Sequence, residues 1–181
     1  NPTSCPRCPL FRNHKAVGTQ AVAMETTRHF TATVYIVNDG ATALHRHPGL
    51  DTRIPPGGHV DRDELPHEAG LREVREETGL DPSLHRDTAD LQPPAGEVLP
   101  QPAHTMLYDI NVHDDGTVGH QHIDHSYFAT VDGREIDPAA GEASADRWAW
   151  YTAADLRESD LDADTVEIGC EAIETISDPP A

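Results

Sequence analysis

Three glutamates, Glu73, Glu76 and Glu77, stand at i, i+3 and i+4 within the stretch from Leu65 to Thr78. In a helix that spacing puts all three carboxylates on one face. Carboxylates held so close repel one another and call for a compensating cation. Arg72, next to Glu73, supplies part of it. Donors that are all oxygen favour a hard divalent ion, Mg2+ or Mn2+, which keeps several waters and bridges to phosphate oxygens. The chemistry indicated is that of a metal-dependent enzyme acting on phosphate.

The element that presents these groups is predicted to be a helix of three to four turns. Its only proline, Pro66, falls in the first turn, where the missing N–H would have no partner anyway. Leu71, Val74 and Thr78 fall roughly opposite the glutamates, so one face packs on a core while the other concentrates charge. Gly79 reads as the stop, because a left-handed residue there needs no Cβ. Before the helix, Pro55-Pro56-Gly57-Gly58 reads as a tight loop whose backbone can approach a ligand.

Gly58, Glu64, Arg72-Glu73-Val74, Glu76-Glu77 and Gly79-Leu80 together fill the pattern G-x5-E-x7-R-E-U-x-E-E-x-G-U, where U is a bulky aliphatic residue. This stretch resembles the Nudix box. Ordinary residue frequencies would produce all nine specified positions by chance roughly once in a million such chains.

The resemblance implies an α+β protein with the Nudix fold, an α/β/α sandwich around a mixed β-sheet. It also implies a Mg2+- or Mn2+-dependent pyrophosphohydrolase acting on a phosphoanhydride in a nucleoside diphosphate linked to another moiety. The ion would be held by Glu73, Glu76, Glu77 and the backbone carbonyl of Gly58. Arg72 would orient a box glutamate, and Glu76 is the first choice for the carboxylate facing the water. The general base is instead a later-loop glutamate in some members, and Glu135 and Glu142 are the candidates here. Glu64 is expected to steady the loop and the helix start.

Two rival readings stay within the same fold. One is a regulatory module that binds a nucleotide without cleaving it, a reading opposed by the intact box. The other is an isomerase or an RNA-end processing enzyme. Pro93, Pro94 and Pro100 do not fall cleanly where the ADP-ribose type carries its proline, and the first tyrosine after the box is Tyr108. The leaving group is therefore left open, and so are the substrate-binding residues. Arg46 and Arg53 are candidates for phosphate or base contacts and serve equally well as solvated surface residues.

Around the box, His29 to Val37 and Ala41 to Arg46 read as a hairpin about Asn38-Asp39-Gly40. Further strands are expected at Glu97 to Leu99, His104 to His113, His122 to Val131 and Arg147 to Tyr151. Thr152 is a candidate N-cap for a short helix through Leu156, and a last helix begins near Asp162. This order of elements argues against a regular alternating βαβ chain. The folded domain is placed at 29–178.

Residues 1–28 show no apolar periodicity and read as a poorly structured leader, with Met24 a candidate start of the folded protein. Cys5 and Cys8 form a Cys-X-X-Cys pair, but the third cysteine, Cys170, is distant, and a structural zinc site takes four ligands. No apolar run is long enough for a signal peptide or membrane span, so a cytoplasmic protein is expected, as a monomer or homodimer.

The formal charge is −19, with one lysine, Lys15, against twelve arginines. Such a surface repels nucleic acid and anionic membranes, which leaves a small nucleotide-type molecule as the expected partner. The balance is similar to that of proteins from salt-loving organisms, where screening relieves self-repulsion.

His120-Gln121-His122-Ile123-Asp124-His125 spells H-x-H-x-D-H, which resembles the metal motif of the metallo-β-lactamase superfamily. That fold needs further ligands downstream, and no histidine follows His125. If the segment is a strand, its side chains alternate and cannot converge on one ion. The segment reads as an ordinary half-buried strand, with a pocket-lining role for one of its polar groups as the alternative.

Overall fold

The structure, a computed structural model, describes residues 25–47, 49, 52–85 and 91–177. Cys5, Cys8 and Met24 lie outside these residues. Among the described residues, eight strands form one mixed sheet: β1 (Thr27–Asn38), β2 (Ala41–Arg46), β3 (Arg53–Ile54), β4 (Gly57–His59), β5 (Ser83–Leu84), β6 (His104–Val112), β7 (Val118–Thr130) and β8 (Trp148–Thr152). The α-helices among the described residues are α1 (Pro66–Thr78), α2 (Ala153–Glu158) and α3 (Ala163–Ser177).

The main path through the sheet runs β3-β2-β1-β7-β5, with β4 pairing with β1, β6 with β7 and β8 with β2. β1 is central because its apolar and β-branched residues alternate toward two cores. It lies parallel to β7 in an unbroken register from Thr27↔His120 to Val37↔Thr130. Ala32, Val34 and Ile36 face α1 together with Tyr127 and Ala129. Tyr35 and Val37 join Phe128, Leu44, Ile168 and Ile173 on the α3 side. Helices thus cover both faces of the sheet, in keeping with the sandwich expected from the sequence.

α1 approaches the sheet closely because Gly70 has no side chain there. A Cβ at that position would lie 2.8 Å from Val34 Cγ2. The helix ends at Gly79, whose φ of 71° is left-handed and whose N–H donates to the Arg75 carbonyl at 2.9 Å.

Several boundaries differ from those expected. Glu97–Leu99 forms no strand, since this proline-flanked stretch finds no partner in the sheet. β7 begins at Val118, four residues earlier than expected, because pairing with Thr27 and Arg28 overrides the turn character of Gly119. The loop expected at Pro55–Gly58 becomes β4 from Gly57 onward, with Thr31↔His59 and Thr33↔Gly57 as partners. Among the described residues, no helix is long and apolar enough to cross a membrane.

Candidate active site

α1 carries the glutamates of the box along one edge of the sheet. Val74 and Thr78 are buried on its core side, and Glu77, at the boundary between the two faces, is also buried. Glu73 is half-buried and Glu76 is exposed. Glu77 Oε2 accepts the backbone N–H of Gly57 at 2.9 Å, which ties the last turn of the helix to β4.

Arg72 binds most of the remaining carboxylates. Its Nε donates to Glu64 at 2.7 Å, and one terminal nitrogen donates to both Glu73 and Glu76 at 2.9 Å. The other terminal nitrogen reaches Glu64 at 3.0 Å and the His59 carbonyl at 3.2 Å. A planar guanidinium is suited to such a fan of contacts. Arg72's hydrogen bonds hold the Glu64 carboxyl below its usual pKa and raise Arg72's own.

Burial has the opposite effect on the inner glutamates. Glu73 is raised, chiefly by desolvation. Glu77 is pushed up to about 8 by burial, with the charges of Glu73, Glu142 and Glu76 adding to the effect. His45 Nε2 lies 3.9 Å from Glu77 Oε1, but burial and the neighbouring His47, Arg147 and Arg53 push His45 down to about 4. The His45 imidazole is therefore neutral near pH 7 and forms no ion pair with Glu77. It stacks on Trp148 instead, with ring centroids 4.6 Å apart.

Glu142 comes from the segment after β7. That segment is fastened to the end of α1 by Asp137 N–H to Thr78 O at 2.9 Å and Ala139 N–H to Glu76 O at 2.7 Å. Its charge bears on Glu73 and Glu77. Glu135, the other sequence candidate, is not among the leading charges acting on either of them.

Gly58 closes the group, since a Cβ there would collide with the Glu73 carboxylate. The carboxylates crowd together without meeting at a point. Among the described residues, the only three ligand atoms mutually within 4.8 Å belong to His29, His59 and His122. The donor set still suits a hard divalent ion, being carboxylate oxygens with an excess of negative charge beside a carbonyl-bearing loop.

Beside this cluster a cleft of about 570 Å3 opens on the α3 side of the sheet. Glu77, Gly57 and Gly58 form one wall, and Tyr35, Tyr108 and Asp164 belong to another part of the lining. In the floor, buried Asp124 accepts hydrogen bonds from Thr31 at 2.8 Å, Thr33 at 2.7 Å and Ser126 at 2.9 Å. Tyr108 donates to Asp164 at 2.9 Å. Their hydroxyl acidities are suppressed, mainly by burial, so Tyr35 and Tyr108 remain neutral donors at any ordinary pH.

The H-x-H-x-D-H segment is strand β7, as its alternation suggested. His122 and Asp124 line the cleft, whereas His125 faces the other way and stacks on Phe30, with centroids 5.7 Å apart. Arg46 and Arg53 do not line the cleft, and Arg53 donates to the Arg147 carbonyl at 2.8 Å. Tyr35, His59, Asp162 and Asp164 had not been singled out. Tyr35 comes from β1, His59 from β4, and Asp162 and Asp164 from around the start of α3, and no local spacing marks them as a set.

A family model described as the NUDIX domain matches residues 27–169. A NUDIX-family hydrolase from Clostridium perfringens is 31% identical, with a TM-score of 0.69, over 83% of this chain and 99% of its own. A MutT NUDIX hydrolase from Burkholderia pseudomallei is 25% identical, with a TM-score of 0.51, over 81% of this chain and 98% of its own. A MutT protein from Bacillus halodurans, at 17% identity and a TM-score of 0.57, shares the fold over 80% of this chain and 82% of its own. Among curated proteins, none matches the sequence.

Proposed function

The chain belongs to the NUDIX family, and we propose that it hydrolyses a phosphoanhydride bond in a nucleoside diphosphate linked to another moiety, using Mg2+ or Mn2+. The observation that carries this reading is the buried Glu77 carboxylate. It stands in the wall of a cleft, crowded by Glu73, Glu76 and Glu142, in an anionic cluster that Arg72 neutralises only in part.

Glu73, Glu76 and Glu77 would hold the ion with the Gly58 carbonyl. The ion would offset the charge of the diphosphate and acidify an attacking water. Arg72 fixes the rotamers of Glu73 and Glu76 and does not touch the reacting atoms. Glu76 is the most exposed of the three and would be the carboxylate that faces the water. Glu142 is the alternative base, brought up by the segment fastened to the end of α1. The tyrosine- and hydroxyl-lined cleft supports a nucleoside as the bound half, with the half-buried Tyr108 ring as a flat surface. We place the reaction in the cytoplasm.

The test is release of phosphate or nucleotide from a panel of nucleoside diphosphate derivatives with Mg2+ or Mn2+. It is run in molar salt, which screens the acidic surface, and compares the natural protein with Glu76→Gln and Glu142→Gln. Activity on one class of substrate, lost in a variant that still folds and binds, supports the hydrolase and identifies its base. Nucleotide binding with no release by the natural protein would replace it with a recognition module.

A further inference from the structure

A second group of donors lies at the far end of the same sheet face. His29 on β1 pairs directly with His122 on β7 in the parallel ladder. His59 on β4 pairs with Thr31, the next residue along that face of β1. Neighbouring strands lie about 4.8 Å apart, so three imidazoles projecting from three adjacent strands on one side are forced together. One ring nitrogen of each lies within 4.8 Å of the others. The rings meet edge to face, His29 to His59 at 5.4 Å and His59 to His122 at 4.9 Å between centroids.

We propose that His29, His59 and His122 form a binding site for a transition-metal ion of the zinc type, separate from the carboxylate cluster of α1 and open on its fourth side toward the cleft. The donor chemistry separates the two sites. Imidazole nitrogen suits Zn2+ and its neighbours in the series, whereas Mg2+ prefers oxygen. Three protein ligands with one open position is the arrangement zinc adopts where it meets a water or a substrate. Zn–N bonds of about 2.0–2.1 Å place tetrahedral nitrogens roughly 3.3 Å apart. Closing the group therefore requires only small side-chain rotations, and His29 and His59 are exposed and able to make them.

The open side faces the cleft because His59 and His122 both line it. His120 flanks the group, its ring 4.7 Å from that of His29, and its Nδ1 is engaged with the Thr27 hydroxyl at 2.8 Å. Its nitrogens lie outside the group that converges within 4.8 Å, so His120 is a neighbour of the three ligands.

The test is Zn2+ and Co2+ titration of the full chain in molar salt with excess Mg2+, all proteins carrying Cys5→Ser and Cys8→Ser so that the Cys-X-X-Cys pair cannot compete. One equivalent of Zn2+ is expected, and Co2+ should give the intense visible absorption of a low-coordinate ion. His29→Ala and His122→Ala should weaken Zn2+ at least as much as the roughly 10- to 100-fold lost when an outer partner of a metal ligand is removed. His125→Ala, on the opposite face, and Glu77→Gln should leave binding unchanged. Absence of stoichiometric binding, its survival in the double variant His29→Ala/His122→Ala, or its loss in Glu77→Gln would overturn the proposal. The last result would assign the zinc to the carboxylate cluster.

Discussion

Glu77 Oε2 accepts the backbone N–H of Gly57 at 2.9 Å, so one oxygen of the most buried box carboxylate already serves the fold and the other is left for chemistry. The bond also fixes β4 against α1, and thereby sets Gly58 and Glu73 in contact.

Burial of this carboxylate makes stability depend on pH. With a value near 8 in the folded protein and 4.5 as its ordinary one, Glu77 binds its proton more tightly when folded. Its contribution is fully present below pH 4.5 and is lost as the pH rises through 8. The metal-free protein should lose stability across that window by a few kcal/mol at most, since linkage sets a limit of about 1.36 kcal/mol per pH unit. Denaturant titrations at pH 6 and pH 8.5 should show the fall in the natural protein and its removal in Glu77→Gln. Mg2+ binding at pH 7 should release protons, measurable by calorimetry in buffers of different ionisation enthalpy.

Gly58→Ala should separate folding from turnover. The added methyl meets only the end of the flexible Glu73 side chain, so the backbone need not move and the melting temperature should change little. The displaced carboxylate should lower kcat by about 100-fold, the usual cost of misplacing a catalytic group by an ångström.

Arg72→Lys keeps the charge and loses the fan of contacts. A single ammonium cannot serve Glu64, Glu73, Glu76 and the His59 carbonyl together. Affinity for Mg2+ should fall about 10- to 100-fold, as for a lost outer partner of a metal ligand. Saturating Mg2+ should recover part of the activity, as activity measured against Mg2+ concentration will show.

Asp124→Ala should act mainly on stability. The change leaves the Thr31, Thr33 and Ser126 hydroxyls without their shared acceptor in a buried floor. The expected loss is about 1–3 kcal/mol per donor that finds no substitute. Urea unfolding measures it directly.

The chemistry of α1 was legible because its donors lie within 23 consecutive residues, where helical spacing alone puts Glu73, Glu76 and Glu77 together. β1 and the later half of β7 were legible from their alternation. β4 was not. Gly57-Gly58-His59 has no strand propensity and becomes a strand because the free edge of β1 at Thr31–Thr33 accepts it, with Gly57 so close to Ala32 that a Cβ would lie 2.5 Å from its carbonyl oxygen. The same pairing brings His59 beside His29 and His122, a relation set by the sheet and by no local spacing. The general base could be narrowed to one of two glutamates, and only the charge that Glu142 brings to bear on Glu73 and Glu77 in the folded chain favours it over Glu135.

The parallel register of β1 with β7 also orders the events of folding. Thr27 and His120 are partners 93 residues apart, so the central strand has no neighbour on that side until β7 has been synthesised. The β1–β2 hairpin and α1 contain only short-range contacts and can form early, whereas closing so long a loop has to precede any gain from the β1–β7 ladder. The cleft floor, built from Thr31 and Thr33 on one strand and Asp124 and Ser126 on the other, is therefore expected to form after the hairpin and α1, an order that pulsed hydrogen exchange during refolding would reveal.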